Sequence, residues 1–266
     1  MTGRAAAFFD LDKTIIAKSS SFVFSRPFHA GGLISRRDMV SSGYAHLLFL
    51  LGGADHDQME KTRRFLSQFV TGWEVATVRQ IVDEMLHRVV DPLVYDEAVA
   101  LIAEHHEAGR DVVIVSASGS DVAEPIGQML GADTVIATRL EVVDGRYTGQ
   151  IEYYAYAEEK ARAIEELAAE RGYDLPASYA YSDSITDVHM LRVVGHAHAV
   201  NPDKELAKVA AVEGWPVLTF ERPVALRRHF PVPPAKPTLA ALAVGGVAAA
   251  TGVAWATVRR RAHQAG

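Results

Sequence analysis

Three short apolar runs in this chain each stop abruptly in a cluster of polar side chains, and that pattern narrows the folds open to it. Ala5 to Phe9 runs into Asp10-Leu11-Asp12, Val112 to Val115 into Ser116-Ala117-Ser118-Gly119, and Tyr179 to Tyr181 into Ser182-Asp183-Ser184. Short apolar runs bounded by polar loops read as strands buried on both faces. Between them, Val94 to Glu107 and Glu158 to Arg171 repeat apolar residues at three- and four-residue spacing, the period of a helix. Strands alternating with helices predict an α/β fold around a parallel sheet, in which ligands sit beyond the carboxyl ends of the strands. All three polar clusters fall at such ends, which points to one shared site.

Two segments break the alternation. Arg139 to Val143, Asp144-Gly145 and Arg146 to Ile151 predict a β-hairpin, because Asp-Gly favours the positive φ values of a two-residue turn. The interval from 19 to 90 carries helical patterns at Met39 to Leu51, Gln58 to Val70 and Trp73 to Val89 and no strand pattern, so it reads as a helical insertion after the first strand. The core is then 1–18 together with 91–220, closed by a strand at Trp215 to Phe220.

Charge divides the chain in a different way. Of 27 basic and 33 acidic residues, the stretch from Arg222 onward holds seven basic and no acidic ones, so an acidic body is joined to a basic tail. An acidic body excludes nucleic acid as the main partner, since backbone binding needs a clustered basic surface. The absence of cysteine excludes disulfides, thiolate metal sites and a Cys nucleophile. Five residues between Arg4 and Asp10 are too few for a signal h-region, so the acidic body is expected in the cytoplasm. Residues 221–237 form a basic, proline-rich linker, with Pro223, Pro231, Pro233, Pro234 and Pro237. Thr238 to Val258 has no charge, and as a helix of about 31 Å it is a transmembrane candidate, followed by a basic tail at 259–266.

The chemistry-bearing residues are Asp10-x-Asp12-x-Thr14, Ser116, Lys160 and Asp183-x-x-x-Asp187, in that order. Each alone has a plain structural reading: a capped turn, a helix N-cap, a solvated lysine. An EF-hand is excluded, because Ile15 stands where that loop needs Gly and Ser21 where it needs Glu. Taken together, the set resembles the haloacid dehalogenase (HAD) superfamily of aspartate-nucleophile phosphohydrolases, whose four motifs match DLDKT, VIVSAS, the lysine of EEK and YSDSITD. The insertion between the first two motifs and the hairpin before the lysine are similar to the subfamily IB hydrolases that contain phosphoserine phosphatases.

The resemblance implies a Rossmann-like sheet under a helical cap at 19–90. It implies that Asp10 attacks phosphorus to form an aspartyl-phosphate, and that Asp12 is general acid and then general base. Mg2+ would be held by Asp10, Asp183 and the Asp12 carbonyl, with Asp187 supporting the coordination shell. Lys160 would offset the negative charge, Ser116 with Ala117 and Ser118 would bind phosphate oxygens, and Thr14 would fix the first loop.

The expected substrate is a small organic or lipid-linked phosphate. Related phosphoserine phosphatases carry an acidic residue shortly after the first motif to receive an ammonium group. Here Lys13 to Arg37 contains no acid, but does contain Lys18, Arg26, Arg36 and Arg37. A phosphoserine phosphatase, a phosphotransferase and a non-catalytic membrane-bound binding module are the alternatives. His105-His106 and His196-x-His198 lack a third metal-ligand partner and read as structural, while His29 and His46 are weaker candidates for lining a pocket.

Overall fold

The sheet is built outward from β1 (Ala6–Phe9), whose four residues are all buried. A computed structural model describes residues 4–34 and 70–223, and elements are numbered over these. On one side of β1 lie β2 (Asp111–Gly119), β3 (Thr134–Val143) and β4 (Arg146–Tyr153). On the other lie β5 (Tyr179–Ser182), β6 (His196–Val200) and β7 (Val217–Leu218), giving the order β4-β3-β2-β1-β5-β6-β7. Every pairing is parallel except that of β3 with β4. The Rossmann-like α/β architecture expected from the sequence is present.

Successive side chains of a strand face opposite ways, and the core divides accordingly. Phe9, Val112 and Ile114 pack with Val99 and Ile102 of α3 (Asp96–Glu107) and Ile126 of α4 (Ser120–Leu130). Phe8, Val113 and Val115 pack on the opposite face, with Ile164 and Ala168 of α5 (Glu158–Arg171), Leu191 of α6 (Val188–Arg192) and Leu206 of α7 (Lys204–Glu213). The helix predicted at Glu158 to Arg171 forms over those residues, ending at Gly172 in the left-handed region.

Three expectations needed adjusting. The hairpin does turn at Asp144 and Gly145, both at positive φ, but its first arm begins at Thr134 rather than Arg139. The first half of β3 pairs in parallel with β2, from Val113↔Thr134 to Ser116↔Ala137, and only the second half pairs with β4. The hairpin is therefore the sheet's own edge, and no turn residue in the sequence separates its two halves. The strand expected at Trp215 to Phe220 shrinks to two residues. Conversely β2 runs on through the polar cluster to Gly119, with a register shift between Ser116 and Gly119.

The described part of the insertion is helical, as α1 (Ser20–Ala30) and α2 (Val75–Val89). Phe24 packs tilted against Phe28 and Phe28 edge-on against Trp73, with ring centroids 5.8 and 5.7 Å apart. The predicted helices at Met39 to Leu51 and Gln58 to Val70 lie outside the described residues, Val70 apart. The base of the insertion is joined to the hairpin tip: Gly72 N–H donates to Tyr147 O, Tyr147 N–H to Trp73 O and Val75 N–H to Gly145 O, at 2.8, 3.1 and 3.0 Å. Arg146 pairs with Glu74, and Tyr147 Oη and Arg79 Nε both donate to Asp121 of α4 at 2.6 Å.

The last described residues run beside α3. Arg222 pairs with Glu97, and Asp96 N–H donates to Arg222 O at 2.9 Å. The linker beyond Pro223, the 238–258 stretch and the 259–266 tail lie outside the described residues. Among the described residues no helix is long and apolar enough to cross a membrane.

Candidate active site

Register places the site. Phe9 stands opposite both Ile114 and Tyr181, so β1 and β5 reach their carboxyl ends together while β2 runs five residues further beside them, and Asp10 N–H donates to Tyr181 O at 2.9 Å. The chain builds the sheet from β1 toward β4 and then crosses back to β5, so a crevice opens where the winding reverses, between β1 and β5. The loop after β1 is tight. Ile15 and Ile16 N–H both reach Leu11 O, and Lys13 adopts a φ of 65°.

Lys160 reaches this crevice from the first turn of α5. Its buried ammonium donates to Asp10 Oδ1 at 2.6 Å and to Asp187 Oδ2 at 2.8 Å, and Ser182 Oγ donates to the same Asp187 oxygen at 2.7 Å. Burial disfavours the ammonium charge, but the two carboxylates outweigh it and hold the Lys160 pKa above its ordinary value. The acids are displaced the other way. Burial pushes Asp10 up to about 7, with the charges of Asp187 and Asp12 adding and Lys160 opposing. Asp183, 8 % exposed, is pushed up to about 8 by burial and by Asp10 and Asp187, against Lys13 and Lys160. One buried lysine thus leaves the cluster short of positive charge.

Asp12 is engaged differently. Its Oδ1 accepts Ser20 N–H at 2.8 Å, and its Oδ2 accepts Ser20 Oγ at 3.2 Å and Ser118 Oγ at 3.1 Å. Burial raises its pKa, and the bonds from Ser20 and Ser118 work against that rise.

Asp10, Asp183, Asp187 and Lys160 therefore come together, with Asp12 beside them. Ser116 is buried within β2, three residues before its end, where its Oγ accepts Ser118 N–H at 3.2 Å, and α4 begins four residues later than a helix start at Ser116 would require. Ala117 is half-buried, and its carbonyl accepts Thr138 Oγ1 at 2.8 Å. Thr14 was expected to fix the first loop. Its hydroxyl is buried without a hydrogen-bond partner among the described residues, and backbone bonds hold the loop instead. Ser118, expected on the phosphate, donates to Asp12 Oδ2 at 3.1 Å.

The histidines keep structural roles. His105 lies buried under the sheet, accepting from Arg110 Nε at 2.7 Å and paired with Tyr181 Oη at 2.9 Å; burial takes its pKa down to about 4. His196 and His198 stack on Tyr179 and Tyr181. His29 is bonded to Ile34 O at 2.6 Å, and His46 lies outside the described residues.

Two functional positions escaped the sequence reading. Ser20 stood in a run of three serines with nothing to single it out. Asp203 accepts Ile185 N–H at 2.9 Å and donates its own N–H to Asp183 O at 2.8 Å, steadying the loop that carries Asp183. Its visible signal was only that of an N-cap, which it also is for α7.

Among the described residues no three His, Cys, Asp or Glu side chains converge on a ready-made metal cage. The donors that the site does hold are hard oxygens in excess of positive charge. That set suits Mg2+, which takes one or two carboxylates and completes its shell with water and phosphate.

A family model described as haloacid dehalogenase-like hydrolase matches residues 7–192. The chain is 56 % identical over 262 residues to a Mycobacterium tuberculosis protein named probable phosphatase, covering 98 % of this chain and 91 % of that protein. It is 34 % identical over 218 residues to a phosphoserine phosphatase of the same organism, covering 81 % and 71 %. Its fold is similar to that of a phosphoserine phosphatase solved with an analogue of the phospho-aspartyl intermediate, with a TM-score of 0.62 at 21 % identity over 85 % of this chain and 97 % of the other.

Proposed function

The chain belongs to the haloacid dehalogenase-like hydrolase family, among its phosphatases, and we propose that it hydrolyses a phosphate monoester through a phosphorylated Asp10. The observation that carries this reading is the buried bridge of Lys160 between Asp10 and Asp187, at the crevice where the sheet reverses its winding.

Asp10 Oδ attacks phosphorus as the ester P–O bond breaks, and Asp12 gives its proton to the departing oxygen. Water then attacks the acyl phosphate while Asp12 takes the water's proton, and the Asp10–phosphorus bond breaks. Lys160 holds Asp10 in place and offsets charge in a site that burial has stripped of water. Asp10, Asp183 and the Asp12 carbonyl would hold Mg2+, which supplies charge neutralisation between carboxylate and phosphate. Ser116 and backbone N–H groups after it would contact the transferring phosphate.

The substrate reading follows from the insertion. No acidic side chain lies between Lys13 and Arg37, and Lys18 and Arg26 are exposed there. A substrate ammonium would lack a counter-charge in that stretch, which favours small organic or lipid-linked phosphates over phosphoserine. The relative named phosphoserine phosphatase supports phosphoserine as the second reading.

A screen of amino-acid, sugar, nucleotide and lipid phosphates, run with and without Mg2+, tests both. Metal-dependent phosphate release is expected from the wild type and none from Asp10→Asn with its melting transition retained. Residual turnover by Asp10→Asn would remove the aspartyl-phosphate, and a highest kcat/KM for O-phosphoserine would restore the second reading.

A further inference from the structure

We propose that Ser20 and Ser118 are positioning residues for Asp12, so that the helical insertion supplies part of the catalytic apparatus. Ser20 is the first residue of α1 and is fully buried. Its backbone N–H and its hydroxyl reach different oxygens of the same carboxyl group, Oδ1 at 2.8 Å and Oδ2 at 3.2 Å. Ser118, at the end of β2, donates to Oδ2 at 3.1 Å from the core. The two hydroxyl oxygens stand 2.6 Å apart across 98 positions of sequence, so when one donates to the other, the one that accepts keeps its proton for Oδ2.

The terminal torsion of an Asp side chain is broad, so one hydrogen bond would leave the carboxyl plane free to swing. Donors on both oxygens restrict that freedom, and the Ser20 hydroxyl does so on Oδ2 either directly or by fixing the Ser118 hydroxyl 2.6 Å away, which without it is free to rotate off the carboxyl group. Proton transfer requires heavy atoms within roughly 2.6–3.2 Å of each other, so holding the plane matters to the rate. Ser20 is also tied to a fixed base. α1 packs through Phe28 on Trp73, and the residues around Trp73 are bonded to the hairpin and, through Arg79, to Asp121 of α4. The N-cap residue Ser19 makes no side-chain cap of its own, and the first N–H of α1 goes to Asp12 instead.

This inference rests on the acid–base role given to Asp12 above, and the test separates the two. Phenyl phosphate and p-nitrophenyl phosphate are close in shape, but phenolate is the more basic leaving group and depends more on a proton from Asp12. In single-turnover release of the phenol by the full chain with Mg2+, Ser20→Ala should slow phenyl phosphate by roughly 10- to 100-fold. The loss with p-nitrophenyl phosphate should be several-fold smaller, KM should stay nearly constant, and Ser20→Thr should recover most of the rate. An equal loss with both esters, a change confined to KM, or no loss would overturn the positioning role. Asp10→Asn run alongside reports on the aspartyl-phosphate reading independently, because activity there would remove that reading whatever Ser20→Ala does. Thermal melting verifies that each variant folds, and the Ser20→Ala comparison decides alone if Ser20→Thr does not.

Discussion

Lys160 loses its water on folding and gains two carboxylates, at 2.6 and 2.8 Å, in exchange. Removing one partner from such a group is more damaging than the pair is stabilising, because the charge left behind is buried and unpaired. The acids around it give the metal-free protein a pH dependence of definite sign. Asp10 and Asp183 rise from 3.8 to about 7 and about 8, so between pH 4 and 8 the folded state holds protons that the unfolded chain has released. Their stabilising contribution is complete below pH 4 and is lost as pH rises toward 8. The buried His105 and half-buried His198, with depressed values, act in the opposite sense below about pH 6.5. Comparison with Asp183→Asn cancels them. In chelator, the wild-type melting temperature should fall relative to that of Asp183→Asn as pH goes from 5 to 8, and Mg2+ should raise the wild type at pH 8 far more than at pH 5. A wild type that gains on the variant with rising pH would contradict the assignment.

At the scale of elements, the hairpin between β2 and α5 forms the sheet edge and also clasps the insertion. Tyr147 is central to both, buried in the core with its hydroxyl on Asp121, a bond whose charged acceptor drives the phenol pKa up after burial has done the larger part. Tyr147→Phe keeps the ring and deletes that bond, and should cost about 2 kcal/mol in denaturant unfolding, a typical value for a hydrogen bond to a charged group. A change within error would show that Arg79 alone suffices for Asp121. The turn itself was legible, since Asp144-Gly145 demands positive φ at both positions. The parallel half of β3 was not, because TVIA flows into the hairpin arm without a breaker and nothing local says which neighbour a strand will choose. The helix at Glu158–Arg171 was readable to the residue: its apolar period is regular and Gly172 ends it.

For the whole molecule, the chain's acidic body and basic tail correspond to the described fold and to a stretch beyond it. The span 238–258 lies outside the described residues, and the sequence expectation that it attaches to a membrane is tested by carbonate-resistant pelleting of the full chain. Truncation after residue 226 keeps the Arg222–Glu97 contact and should release the protein, with Mg2+-dependent hydrolysis unchanged. A full-length chain that stays in the supernatant would remove the anchor.

What the sequence determined by itself was the alternation of β1, β2 and β5 with α3 and α5, and the position of Asp10, Asp12, Ser116, Asp183 and Asp187 at or shortly after strand ends, with Lys160 on the helix between. Those follow from local periodicity, which needs only neighbouring residues. The tertiary structure decided how the residues pair: Lys160 between Asp10 and Asp187, Ser118 on Asp12, Ser20 reaching in from the insertion, and Asp203 bracing Asp183. A hydrogen bond is decided within a fraction of an ångström by which elements the sheet register and helix packing bring together. Residues 8 to 150 positions apart carry no mark of it in the linear chain.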